Sequence, residues 1–206
     1  MPKSQIPNPQ SPLIIGLTGS IGMGKSTAAK ILARMGLPIY SADAAVHDLL
    51  GPNGRAVPRV GKLFPAARRG AAIDRKQLGA LVFDQPALRR QLEAILHPMV
   101  RQEEKKFIAQ ARKAKARAVV LEIPLLFETG GEACCDLVLV VTAPKAVQRA
   151  RVLKRRGMTP AKFRAILKAQ MPDAEKRRRA DYVIKTGKGL ADTRRQLVEV
   201  MKRMTE

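Results

Sequence analysis

The sequence is short of several things, and each shortage removes a class of protein. It has two cysteines in 206 residues, Cys134 and Cys135, and they are neighbours. Vicinal cysteines rarely make a structural bridge, and two thiols do not by themselves complete a metal site. A disulfide-stapled secreted domain is therefore excluded, and a reducing, cytoplasmic compartment is expected. No apolar run approaches the roughly 18 residues of a membrane span, so no membrane partner is expected. Tryptophan is absent, and two tyrosines and five phenylalanines supply little for a base-stacking surface. Acidic residues are also scarce, 17 against 39 Lys and Arg, for a formal net charge of +22. That excess points to polyanionic partners. The cations are spread over most helices, so phosphorylated small molecules fit them better than nucleic acid does. The opening stretch MPKSQIPNPQSP lacks the apolar core of a secretory signal, and residues 1–12 are expected to form a disordered tail.

What is present is concentrated between Leu13 and Met35. Leu13 to Thr18 is an apolar run of strand length. Gly19-Ser20-Ile21-Gly22-Met23-Gly24-Lys25-Ser26 then fits G-x-x-x-x-G-K-[ST] at every fixed position. Thr27 to Met35 is a run of helix formers. Strand, glycine loop and helix together are the setting of a phosphate-binding loop. Backbone N–H groups of Gly19, Ile21, Gly22, Met23 and Gly24 converge on phosphate oxygens, where side chains on the glycines would crowd the anion. The amides at the helix start, Ser26 and Thr27, add the positive end of the dipole. Lys25, expected to be exposed in the loop, reaches the outer phosphates of ATP. The Ser26 hydroxyl is a ligand for Mg²⁺.

The remainder alternates strands and helices, which predicts a three-layer α/β fold with right-handed crossovers and a five-stranded parallel sheet. Leu37–Tyr40 reads as a strand and Ala44–Leu50 as a helix. Asp43 lies between them, at the strand end that faces the ligand crevice in such sheets. It is a candidate base for a phosphoryl acceptor; the plainer reading is a helix cap. Arg55 to Lys115 holds helix formers and no convincing strand, so residues 55–115 are expected to be a helical substrate-binding insertion. The core is then 13–54 and 116–204 of a single domain. Within the insertion Asp74 is placed to cap a helix running to Phe83. Leu88, Leu92, Ile95 and Leu96 form a buried stripe. His97-Pro98 interrupts it, with Pro98 in the first turn of a new helix. His97 reads as either a capping residue or a substrate contact. Ala118–Ile123 is a buried strand carrying Glu122 near its end, where an acid beside Mg²⁺ is expected. Asp136–Thr142 is another buried strand. Residues 144–176 form a basic helical hairpin with Arg149, Arg151, Lys154, Arg155 and Arg156, a candidate lid over ATP phosphates. Arg151 and Arg155, one turn apart, are expected on one helical face. A final strand near Ala180–Ile184 and a helix from Leu190 to Met204 complete the chain.

Taken in order, these pieces resemble the dephospho-CoA kinase family over residues 13 to 204. The resemblance rests on Gly16 to Thr27, on Ala42-Asp43-Ala44, on Leu96-His97-Pro98 and on Ile123-Pro124-Leu125-Leu126-Phe127-Glu128. The spacing of Gln148, Arg151, Arg155, Gln170 and Ala180-Asp181 adds to it. It implies a P-loop kinase that uses ATP to phosphorylate the ribose 3′-hydroxyl of dephospho-CoA. It implies Asp43 as catalytic base, Lys25 and Arg151 as charge stabilisers, and Arg151 and Arg155 on ATP. It implies Asp43, His97, Pro124, Leu125 and Glu128 on the acceptor, with Ser26 and Glu122 near the metal. The chain departs from the family's usual residues at Met23, Ser41, Glu122 and Thr186. Another small-molecule kinase, or a nucleic-acid-binding P-loop protein, is the alternative.

Overall fold

A computed structural model describes residues 11–204; the expected tail at 1–12 lies outside it except for Ser11 and Pro12. The described residues fall into two compact units. One comprises the chain up to Tyr40 together with the segment from Gln110 onward, and the other is Ser41–Ala109.

The first unit is built on a sheet of β1 (Leu13–Thr18), β2 (Ile39–Ser41, whose last residue falls in the other unit), β5 (Ala118–Glu122), β6 (Leu137–Thr142) and β7 (Tyr182–Lys185). Its order is β2-β5-β1-β6-β7. The β1 pairs with β5 and β6, and the β6–β7 pair, are parallel. Parallel strands covered on both faces need apolar residues at successive positions, and Leu137-Val138-Leu139-Val140-Val141 supplies such a run. Ile15, Leu17, Val120, Leu139, Val141 and Ile184 share one cluster with Ala28, Ile31 and Leu32 of α1 (Lys25–Arg34) and Leu197 and Val200 of α9 (Leu190–Arg203). Each fully buried Leu or Ile there contributes about 1.5–3 kcal/mol. The alternate β1 position, Gly16, faces Leu126 and Cys135 instead. Three further helices, α6 (Lys145–Leu153), α7 (Pro160–Ala169) and α8 (Asp173–Arg179), lie between β6 and β7 in the chain.

The second unit holds α2 (Ala42–Leu50), α3 (Val57–Leu63), the hairpin β3 (Arg68–Arg69) and β4 (Ala72–Ile73), α4 (Arg75–Phe83) and most of α5 (Pro86–Lys113). Its core joins Leu49 and Leu50 of α2 to Val57, Val60, Phe64, Leu78, Leu92 and Leu96. That packing draws α2 into the helical unit, which begins at Ser41 and not at Arg55.

Three expectations need correction here. Residues 55–115 do contain strand: β3 and β4 pair antiparallel across Gly70-Ala71. Two-residue strands are too short to show an alternating pattern. The helix break at His97-Pro98 does not occur; α5 runs unbroken for 28 residues with Pro98 inside it. An internal proline costs about 3 kcal/mol. The apolar residues on both sides of it, Leu88, Leu92, Leu96, Met99 and Val100, enter one core cluster and offset that cost. Finally, α2 starts at Ala42, so Asp43 sits in its first turn and Ser41 is the N-cap. The Ser41 Oγ accepts from Ala44 N–H at 3.4 Å.

Candidate phosphate-transfer site

The register of the sheet assembles the site in the first unit. Leu17 stands level with Glu122, and Thr18 level with Val140. The glycine loop after β1 and the acid at the end of β5 therefore meet at the same edge, the carboxyl end of the strands. Lys25 is the first residue of α1, two residues earlier than the sequence reading starts the helix. Its ammonium lies 2.8 Å from Glu122 Oε1, and the Ser26 hydroxyl donates to the same oxygen at 3.0 Å. The Lys25 and Glu122 side chains are only 11% and 9% exposed. The expectation of an exposed Lys25 is thus overturned: a buried carboxylate draws the ammonium in, because neither charge is tolerated there alone.

The loop glycines have a packing reason as well as an anion-binding one. Gly22 has φ 78°, and a Cβ there would meet Val152 Cγ2 of α6 at 2.5 Å. Gly24 has φ 92°, and its Cβ would meet Thr186 Oγ1 at 2.9 Å. Gly19, Ile21 and Met23 complete the loop. Met23 is buried, and its sulfur accepts from Ala143 N–H at 3.1 Å. Ile21 N–H donates to Gln170 Oε1 at 3.0 Å, and Ile21 C=O accepts from Gln148 Nε2 at 2.7 Å. Thr186 donates to Met23 C=O at 2.8 Å and takes Arg151 at 2.9 Å on its hydroxyl and 2.7 Å on its carbonyl. Met23 and Thr186, two of the four positions named above as departures, are thus joined to each other and to Arg151. Thr27 lies in the first turn of α1.

Arg155 is placed differently from expectation. Helix α6 ends at Leu153, with Lys154 as its C-cap, so Arg155 is exposed beyond the helix and shares no helical face with Arg151. The loop after β5 is tied to α8. Pro124 C=O accepts from Thr18 Oγ1 at 3.1 Å and Lys176 Nζ at 3.3 Å. Glu128 Oε1 takes Lys176 at 2.8 Å and Met171 N–H at 2.8 Å. Leu125 is 38% exposed. Arg179 stacks 4.6 Å from the Phe127 ring and pairs with Glu132. Lys176 is fully buried, which its setting in a run of bases gave no sign of.

In the second unit Asp43 is exposed in the first turn of α2. His97 is also exposed and lines a cleft of about 520 Å³ with Glu93, Pro98, Arg101 and Lys105.

No group of three or more His, Cys, Asp or Glu suited to a metal occurs among the described residues. The donors at the loop mouth, Ser26 Oγ and Glu122 Oε1, are oxygens. They suit a hard cation that keeps most of its water, such as Mg²⁺, and not zinc.

A parallel sheet of this order, a glycine loop running into a helix and an acid on the next strand define a P-loop kinase. Comparison carries this further. Residues 13–192 match the family model described as dephospho-CoA kinase. A dephospho-CoA kinase from Rhodopseudomonas palustris is 49% identical over 189 residues, covering 92% of this chain and 94% of its own. A crystal structure of a Thermus thermophilus protein aligns with TM-score 0.84 at 36% identity, over 95% of this chain and 99% of its own. A dephospho-CoA kinase from Campylobacter jejuni aligns with TM-score 0.64 at 28% identity, over 92% and 96%. The chain belongs to the dephospho-CoA kinase family.

Proposed function

We propose that this protein transfers the γ-phosphoryl group of ATP to the ribose 3′-hydroxyl of dephospho-CoA, giving coenzyme A and ADP. The observation that carries the reading is the convergence of Lys25 and Ser26 on Glu122 at the mouth of the glycine loop. That convergence supports a terminal phosphate held at the loop mouth, and family membership supports the acceptor.

The 3′-oxygen attacks the γ-phosphorus, the bond to the bridging oxygen breaks, and ADP carries off the electron pair. Such a transfer is driven by positioning and charge. The loop amides of Gly19, Gly22 and Gly24 and that of Ser26 hold ATP, while those of Ile21, Met23 and Thr27 keep the loop in shape through Gln170 Oε1, Ser20 C=O and Gly24 C=O. Lys25 shifts from Glu122 to the transferring group or shares its charge with both. Ser26 and Glu122 would hold Mg²⁺, which supplies charge neutralisation on the phosphates. Arg151 and Arg155 act from the 144–176 hairpin, the lid. The helical unit, with His97, and the loop of Pro124, Leu125 and Glu128 serve the acceptor. We place the protein in the cytoplasm, on its two cysteines and the reducing compartment they fit. Nucleic acid and membrane are not partners in this reading; among the described residues no helix is long and apolar enough to cross a membrane.

Asp43 takes the proton of the acceptor hydroxyl. Because Ser41 is the cap of α2, Asp43→Asn tests basicity without touching the cap. The substitution is expected to lower kcat about 10²–10⁴-fold, the usual worth of a general base, with KM for ATP and thermal stability unchanged. Normal turnover by Asp43→Asn would remove it from the mechanism.

A further inference from the structure

Two glutamines of the helical hairpin bind the backbone of the same glycine-loop residue, one at its C=O and one at its N–H. Gln148, on α6, is 5% exposed and donates to Ile21 C=O at 2.7 Å. Gln170, the C-cap of α7, accepts from Ile21 N–H at 3.0 Å. The neighbouring Gly22 sits so close to α6 that an added Cβ would be 3.1 Å from Gln148 O. We propose that Gln148 and Gln170 are positioning residues that fix the polarity of the two peptide groups flanking Ile21, so that the loop is held in its anion-binding form by the hairpin itself.

The argument is one of direction. In a planar trans peptide the C=O and N–H point oppositely. Tying Ile21 C=O to Gln148 therefore turns the Gly22 N–H away from α6 and leaves it available to an anion. Were that peptide to flip, a carbonyl would face the phosphates and repel them. Gln170 takes up the Ile21 N–H, which belongs to the preceding Ser20–Ile21 peptide. The Ser20 C=O of that peptide points the other way and accepts from Met23 N–H at 3.1 Å, so it closes the loop's own turn and is not left to face the anion. One site needs a donor and the other an acceptor, and an amide side chain supplies either. The consequence is that the hairpin contributes to nucleotide affinity through the loop, apart from any arginine it brings to the phosphates.

This proposal rests on the reading of the loop as an ATP site, and the test separates the two. Binding of β,γ-imido-ATP with magnesium chloride is measured by calorimetry for the unaltered protein and for Gln148→Leu, Gln170→Leu, Gln148→Glu and Gln170→Glu. Steady-state kinetics are run beside it. Each Leu variant is expected to weaken binding about three- to tenfold, the scale of one hydrogen bond, and to raise KM for ATP while KM for dephospho-CoA holds. Gln170→Glu keeps an acceptor and is expected to restore affinity; Gln148→Glu offers an acceptor to a carbonyl and is not. If Gln148→Leu fails to fold, the Gln170 pair, which is only half-buried, still decides. Normal binding by the unaltered protein together with unchanged affinity in Gln170→Leu, or equal behaviour of the two Glu variants, would overturn the clamp alone. No binding by the unaltered protein would overturn the ATP reading and the clamp with it.

Discussion

At the mouth of the glycine loop a single oxygen, Glu122 Oε1, receives both the Lys25 ammonium and the Ser26 hydroxyl. This gives Lys25 two functions, toward phosphate and toward Glu122, and they are separable. Removing one partner of a buried ion pair costs about 3–5 kcal/mol because the other charge is stranded. Lys25→Ala is therefore expected to abolish transfer and to lower the melting temperature as well. The double variant Lys25→Ala with Glu122→Gln is expected to recover the melting temperature and none of the activity. Thermal melts paired with transfer assays check this, and an unchanged melting temperature in Lys25→Ala would show that the pair is of no weight. The motif made Lys25 and Ser26 legible in the sequence. The pairing with Glu122 was not, because it depends on strand register across 97 residues. Lys176 is the sharper case: nothing in its local run of bases marks the one that turns inward to Glu128.

Among the elements, α4 shows a cap that titrates. Asp74 accepts from Lys76 N–H and Gln77 N–H, both at 3.0 Å. The Gln77 amide first, then the Lys76 amide and the Arg69 and Lys76 charges, hold its carboxyl below the ordinary 3.8. A carboxylate depressed in the folded state stabilises above its unfolded value and loses that contribution as pH falls through the folded one. The stability advantage of the unaltered protein over Asp74→Ala is thus expected in full at neutral pH and to vanish well below pH 3.8. Paired urea melts across that range check it; a pH-independent difference would contradict it. The cap was readable because Asp before a helical run is a local signal. Helix α5 passes through Pro98 against the local breaker rule because packing contributed by distant residues outweighs it. Arg155 is the opposite case: α6 ends at Leu153 although the basic run continues, so helical spacing does not place it.

For the whole molecule, the parallel sheet and its helices were legible because each strand is a short apolar run and each crossover a helix. The extent of the helical unit was not. Its start at Ser41 follows from Leu49 and Leu50 packing with Val57 and Val60, a contact that no spacing rule encodes. The charge of +22 is consistent with handling two phosphorylated substrates and adds no separate partner to the account. The central claim is the acceptor. The direct measurement supplies γ-labelled ATP and magnesium to the protein with dephospho-CoA, nucleoside monophosphates, shikimate or buffer alone, and maps the labelled product. The account predicts label on dephospho-CoA alone, on its ribose 3′-oxygen. Label on a nucleoside monophosphate or shikimate, or no transfer to dephospho-CoA, would contradict it.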